Sequence, residues 1–263
     1  HAINAWLVCV VVKRFGGHRW CAWWAGVWFL ILPIHTEAVV PIVGRSELLA
    51  ATWSLITLLW LLRSARASAM SGWRCLGIGA AFLLALLSKE HALALVPLYL
   101  WWVLTQARDG GRPLARAVWE ARRQWLWLGF ALGLYGALRL IALGPFTAAG
   151  DTMVTIVENP LAFLPAIQRC LTAVAIAGVY ALKSLWPVSL SSDYGYDHIP
   201  AATSALDPRV VIGLGVLVWL VWMTAQPLIR PMSGRRLWHV AAAFLLWFFL
   251  PVSNFFILTG TNM

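Results

Sequence analysis

Residues 33–50 read PIHTEAVVPIVGRSELLA, and their setting decides the fold. The stretch joins two apolar runs, Trp20 to Ile34 before it and Leu48 to Leu62 after it. Pro33 and Pro41 interrupt regular helix, and His35, Glu37, Arg45 and Glu47 crowd into the same turn. An ionisable group at membrane depth costs about 2.5–3.5 kcal/mol on insertion scales, so such groups face a partner or a cavity. A structural ion pair between Glu37 and Arg45 and a working site both account for the cluster. The placement of the other charges bears on that choice.

Outward from this turn, the chain of 263 residues is 61% hydrophobic and 11% charged, with 18 Trp. A soluble domain of this size cannot hide so much apolar surface. The apolar runs are continuous and do not alternate at period two, which excludes a β-barrel. The fold class expected is all-α, a polytopic helical membrane protein with about eight membrane segments in a single transmembrane domain over 1–263. The chain opens on His1 without a basic n-region, so it carries no signal-peptide pattern there. It reads as a piece of a longer protein that begins within one helix and stops after another. Cys9, Cys21, Cys75 and Cys170 lack metal-ligand spacing and read as packing residues.

In order, the expected spans are Ala2 to Val12, Trp20 to Ile34, Leu48 to Leu62, Leu76 to Leu87, Ala92 to Leu104, Trp125 to Leu143, Val210 to Thr224 and Trp238 to Leu250. Trp20, Trp23, Trp24 and Trp28 form an interfacial belt near the basic end of the second. The loops at 13–19, 63–74, 108–123 and 230–236 hold 14 of the 20 Lys and Arg, and only Asp109 and Glu120 among the ten acids. The positive-inside rule makes these loops cytoplasmic. It also explains the net charge of +10 better than nucleic-acid binding does. The segment 144–209 becomes a large extracytoplasmic loop. Within it Leu171 to Trp186 is apolar enough to span, but a span there would put 230–236 outside, so it reads as a buried or interfacial helix. A true span with inverted topology downstream is the alternative.

With this orientation the polar patches 35–47, 88–91 and 144–209, joined by Ser253 and Asn254, gather on one face. Carboxylates, cations and aromatic rings beside a lipid-accessible bundle suit transfer of a sugar from a polyprenyl phosphate. Cations such as Arg45 and Lys89 hold the phosphate as charge develops, a carboxylate takes the proton of the accepting hydroxyl, and Tyr and Trp faces suit sugar rings. No P-loop, dinucleotide fingerprint, HExxH or cysteine metal cluster is present in the sequence.

The runs PIHTEAVVPIVGRSELLA, LLSKEHALALVPLYL, ENPLAFLPAIQRCLTAVAIAGVYALKSLWPVSLSSDYGYDHIP and PVSNFFILTGTNM resemble the transmembrane and tetratricopeptide-repeat (TMTC-like) O-mannosyltransferases and their bacterial relatives. HTE with GRSELLA and the NP to IP stretch carry most of the specificity. The resemblance implies a GT-C-like bundle that moves a hexose, mannose above all, from a polyprenyl-phosphate donor to a hydroxyl acceptor on protein at the extracytoplasmic face. It implies Glu37, Glu47 and Asp193 as catalytic carboxylates, and Arg45 and Lys89 as donor-phosphate ligands, with His91 expected to join them on the phosphate. His35, Tyr194, Tyr196 and Asn254 are expected to bind substrate. No metal-ligating residue is assigned, and the need for a divalent metal stays open. Lipid-linked sugar, membrane lipid and a protein acceptor are the partners implied, with no nucleic acid. The membrane is a bacterial inner membrane or an endoplasmic reticulum. The resemblance also puts an acidic pair, one of them the base, upstream of residue 1, and helical repeats beyond Met263. A secondary transporter and a noncatalytic membrane scaffold are the competing readings. The one-sided gathering of polar groups, without paired broken helices in two halves, speaks against the transporter.

Overall fold

The computed structural model describes residues 1–64, 72–143, 160–188, 190, 199–230 and 237–253. They form α1 (Ala2–Arg14), α2 (Arg19–Ile31), α3 (Thr36–Val39), α4 (Arg45–Ser64), α5 (Gly72–Ser88), α6 (Leu95–Asp109), α7 (Leu114–Glu120), α8 (Arg122–Leu143), α9 (Ala166–Leu185), α10 (Pro208–Ile229) and α11 (Leu237–Phe249). No strand occurs among the described residues. The chain is an all-α helical membrane protein. Four helices, α4, α8, α9 and α10, are long and apolar enough to cross a membrane by length and composition, and α5 and α11 are shorter apolar helices.

The core lies where α4, α5 and α6 meet, around Leu58, Leu61, Ile78, Phe82, Leu86, Leu95 and Leu98, all buried. Of the candidate spans α4 is the innermost, with 44% of its window buried, whereas α8 buries 11% and turns most of its surface outward. Small residues set the close crossings. A Cβ on Gly26 of α2 would lie 2.1 Å from Cys9 Sγ of α1. The turn between those helices uses Gly16 at φ 92°, a conformation that favours glycine. Cys75 alone among the cysteines is buried; Cys21 and Cys170 are exposed, so packing does not explain those two.

Pro227 lies inside α10 and has no N–H, which leaves the carbonyl of Met223 without its helical donor. His239 of α11 supplies one, its Nδ1 lying 2.7 Å from Met223 O. Because a carbonyl only accepts, that nitrogen carries the proton. One residue on, the Trp101 indole of α6 donates to Thr224 O at 2.7 Å. A spanning helix tolerates proline when neighbours satisfy the freed groups in this way.

Contacts sort the helix ends into two sets. Asn4 of α1 donates to Leu48 O at 2.9 Å and accepts from Thr52 Oγ1 at 2.6 Å, tying the starts of α1 and α4 together. At the far end of α4, Ser64 Oγ accepts from Gln124 Nε2 of α8 at 3.2 Å. Helix α11 begins beside Gly17, where an added Cβ would lie 3.2 Å from Leu237 Cδ1. It ends near His91, whose ring centroid is 6.1 Å from that of Phe248. Residues 13–19, 63–64, 122–124 and the start of α11 therefore share one end. Residues 33–47, 88–91 and 250–253 share the other.

Several sequence boundaries move. The third span begins at Arg45 rather than Leu48, which brings Arg45 and Glu47 into the first turn of α4. The fifth begins at Leu95, after a 3-10 turn over Glu90–Ala94, and runs to Asp109. The segment 171–186 falls on α9 and its C-cap Trp186; α9 is 20 residues long and a candidate span in its own right. It packs antiparallel to α10: a Cβ on Gly213 would lie 1.9 Å from Val174 O, and one on Gly178 would lie 2.5 Å from Arg209 O.

Candidate functional site

The polar end of the bundle is built on the short connection between α5 and α6. Lys89 follows the last residue of α5 in an extended conformation, φ −158° and ψ 139°. Successive side chains of an extended segment point to opposite sides. Lys89 accordingly turns toward α4 and Glu90 toward α8, and the 3-10 turn that follows brings His91 back to the α4 side.

On the α4 side, Lys89 Nζ lies 2.5 Å from Glu47 Oε1, and each side chain is 38% exposed. His91 Nδ1 lies 3.8 Å from Glu47 Oε2. Glu47 stands in the first turn of α4, where the helix dipole favours a negative charge. Burial pushes the His91 imidazole below its ordinary pKa; the Glu47 carboxylate works in the opposite direction and Lys89 adds to the lowering. At neutral pH His91 is therefore a neutral ring beside an ion pair.

On the α8 side, Arg139 Nη1 lies 2.5 Å from Glu90 Oε1, and the Tyr135 hydroxyl donates to the same oxygen at 3.0 Å. Tyr135 and Arg139 are one helical turn apart, so both reach Glu90 from one face of α8. The result is an alternating row: Glu47, Lys89, Glu90 and Arg139, two carboxylates and two cations carried by three elements. The sequence alone does not single out Arg139 or Tyr135. The available signal was a lone arginine inside an otherwise apolar span, with a tyrosine four residues before it.

His35 occupies a neighbouring position at the same end. Its ring lies 4.3 Å from that of Phe29 and 5.2 Å from that of His1, and burial lowers its pKa. Glu37 lies in α3, exposed, and Arg45 is exposed at the start of α4. Across the bundle, Glu47 of α4 pairs with Lys89 on the turn after α5. Ser253 is buried beside the end of α11. Asp193, Tyr194, Tyr196 and Asn254 lie outside the described residues. Among the described residues, no group of three or more His, Cys, Asp or Glu is arranged to hold a metal ion.

Chemically, the row offers two cations whose charge is balanced by carboxylates that can let go. An anionic group with several acceptor oxygens can share Lys89 with Glu47, or Arg139 with Glu90, because an ammonium carries three donors and a guanidinium five.

The family model described as "Protein O-mannosyl-transferase TMTC, DUF1736" matches residues 151–221. Over 250 residues the chain is 30% identical to "Protein O-mannosyl-transferase Tmtc2" of Drosophila melanogaster, covering 90% of this chain and 25% of that protein. It is 28% identical over 270 residues to "Protein O-mannosyl-transferase TMTC4" of Homo sapiens, covering 90% of this chain and 34% of that one. With "Protein O-mannosyl-transferase F38B6.6" of Caenorhabditis elegans it shares 27% identity over 240 residues, 91% of this chain and 31% of the other. The chain spans about a quarter to a third of the length of these curated relatives. No solved structure matches it.

Proposed function

We propose that this chain, a homologue of the TMTC protein O-mannosyl-transferases, is part of the membrane core of a GT-C glycosyltransferase. The donor is a hexose, mannose in the first instance, carried on a polyprenyl phosphate, and the acceptor is a protein hydroxyl. The observation that carries this reading is the charged row of Glu47, Lys89, Glu90 and Arg139 at one end of an apolar bundle. Lys89, with His91 and Arg45 nearby, holds the donor phosphate, and Arg139 adds a second cation across the turn. Transfer forms a bond from the acceptor oxygen to the anomeric carbon and breaks the bond from that carbon to the phosphate oxygen. The hydroxyl proton passes to a carboxylate, either one of the acidic pair that the resemblance puts upstream of residue 1 or, within this chain, Glu37 or Asp193, and the polyprenyl phosphate leaves with the electron pair. His35, Tyr194, Tyr196 and Asn254 are the residues we assign to sugar and acceptor binding. Cations placed where the leaving group gains charge lower the barrier most.

Lys89 also argues for a local role by its topology. A lysine at the extracytoplasmic end works against the orientation that the basic loops favour, and a half-exposed ion pair contributes only about 0–1 kcal/mol. In the full-length protein, Lys89→Gln should weaken binding of a polyprenyl-phosphate mannose by about tenfold or more, and Lys89→Arg should recover part of the loss. Equal affinity of wild type and Lys89→Gln in that titration would remove the phosphate role.

The orientation has its own test. On a background without cysteine, Val40→Cys and Leu206→Cys in intact cells should react with an impermeant thiol reagent, while Arg112→Cys should be shielded. Reaction at 112 would invert the orientation. Shielding at 206 with reaction at 40 would place the start of α10 on the cytoplasmic side.

A further inference from the structure

At the end of the bundle opposite the charged row, α1 and α2 flank a cavity of about 100 Å³ lined by Cys9, Val10, Lys13, Arg19, Ala22 and Trp23. Its position follows from the hairpin. The helices touch where Gly26 meets Cys9 and are joined by the turn at Gly16, and the cavity lies between those points. Its floor and walls are apolar: Val10, the buried Ala22 and the ring of Trp23. Its rim carries Lys13 and Arg19.

Those two cations differ from others at the same end. Arg112 and Arg116 share the Glu120 carboxylate at 3.2 and 3.1 Å. Among the described residues neither Lys13 nor Arg19 has a carboxylate partner; Arg19 lies instead over the Trp20 ring, 5.3 Å from its centroid. The depth is set by tryptophan. Trp20, Trp23 and Trp24 are 58%, 66% and 67% exposed on the same stretch of α2, and tryptophan is enriched at headgroup level in membrane proteins.

We propose that this cavity binds the phosphate of an anionic membrane phospholipid. Lys13 and Arg19 contact the phosphate oxygens from the rim, their stems lying along the apolar wall, and an acyl chain leaves past Val10 and Trp23 along the outer surface of the hairpin. Basic pockets between spanning helices are suited to anionic headgroups in this way. A zwitterionic lipid brings its own ammonium group to the rim and is disfavoured by the two cations. The site is separate from the charged row, and its occupation does not depend on the transferase reading.

The test uses the full-length protein, stripped of lipid in detergent and titrated with phosphatidylglycerol or phosphatidylcholine, with bound lipid read by native mass spectrometry. Phosphatidylglycerol should be retained in preference. Lys13→Gln with Arg19→Gln should lower its apparent affinity by about tenfold, whereas Arg112→Gln should leave it unchanged. If the double variant is not recovered folded, the single variants decide, each with a loss of about threefold. Inorganic phosphate at the same concentration should not displace the lipid, because the apolar wall adds nothing to its binding. Equal retention of the two lipids, equal loss with Arg112→Gln, or displacement by inorganic phosphate would each overturn the proposal.

Discussion

Glu47→Gln in the full-length protein should lower sugar transfer by about 10²-fold, while the yield of folded protein and its melting temperature stay close to wild type. The two halves of this expectation come from different physics. As a stability element the Glu47–Lys89 pair is weak, because both side chains are 38% exposed and solvent screens them. As a positioning element it is strong. Glu47 draws Lys89 and His91 to one side of an extended turn while Glu90 is drawn to the other by Arg139 and Tyr135. Without the carboxylate, Lys89 regains its rotamers and the cation is no longer fixed where the phosphate gains charge. Glu47→Asp should recover part of the rate, since the charge remains at the helix N-terminus but falls short of Lys89. A Glu47→Gln protein that transfers sugar normally but unfolds at lower temperature would make the pair a structural bridge.

The second large effect is expected far from the chemistry. Gly213→Leu should disrupt the packing of α9 on α10, at a cost of about 1–3 kcal/mol. A Cβ on Gly213 meets Val174 O at 1.9 Å, and one on Gly178 meets Gly213 N at 2.8 Å, so backbone rather than a movable side chain stands in the way. In a bilayer the contact of two apolar helices rests on close packing more than on exclusion of water. Losing it should therefore show as a lower melting temperature and an aggregated fraction on size exclusion in detergent. Gly215 is the control: its added Cβ meets nothing within 4 Å, and Gly215→Leu should fold as wild type. Wild-type melting of Gly213→Leu would mean that the two helices do not cross there.

Much of the fold was legible because the solvent for these helices is lipid. Continuous apolar runs, basic loops and tryptophan belts all report on the same slab, and each expected span corresponds to a helix in the structure. What the sequence hid was pairing across the bundle. Glu37 and Arg45 stand close along the chain and suggest a pair to the eye; that Glu47 meets Lys89, on the turn after α5, is visible only once α4 and α5 are neighbours. Arg139 was hidden for a related reason. A single arginine near the end of a long apolar span reads as a snorkelling side chain, and only the position of Glu90 on the facing turn gives it a partner. Proline brought a third surprise: Pro227 lies within α10 without ending it, because His239 answers the carbonyl that it frees. These contacts depend on which helices are neighbours, and periodicity does not carry that information. The reverse holds for Asp193 and Tyr194, which the resemblance singles out, and for Tyr196 and Asn254 beside them, all of which lie outside the described residues.

The most direct measurement of the central proposal is transfer itself. The full-length protein, reconstituted in liposomes with polyprenyl-phosphate mannose labelled in the sugar and a serine- and threonine-rich acceptor protein, should move label onto the acceptor in a form released by mild alkali. Lys89→Gln and Arg139→Gln should each reduce the label incorporated, and an added nucleotide-linked mannose should not replace the lipid-linked donor. Wild-type incorporation by both variants, or labelling from the nucleotide sugar in the absence of the lipid, would contradict the assignment of the charged row as the donor-phosphate site.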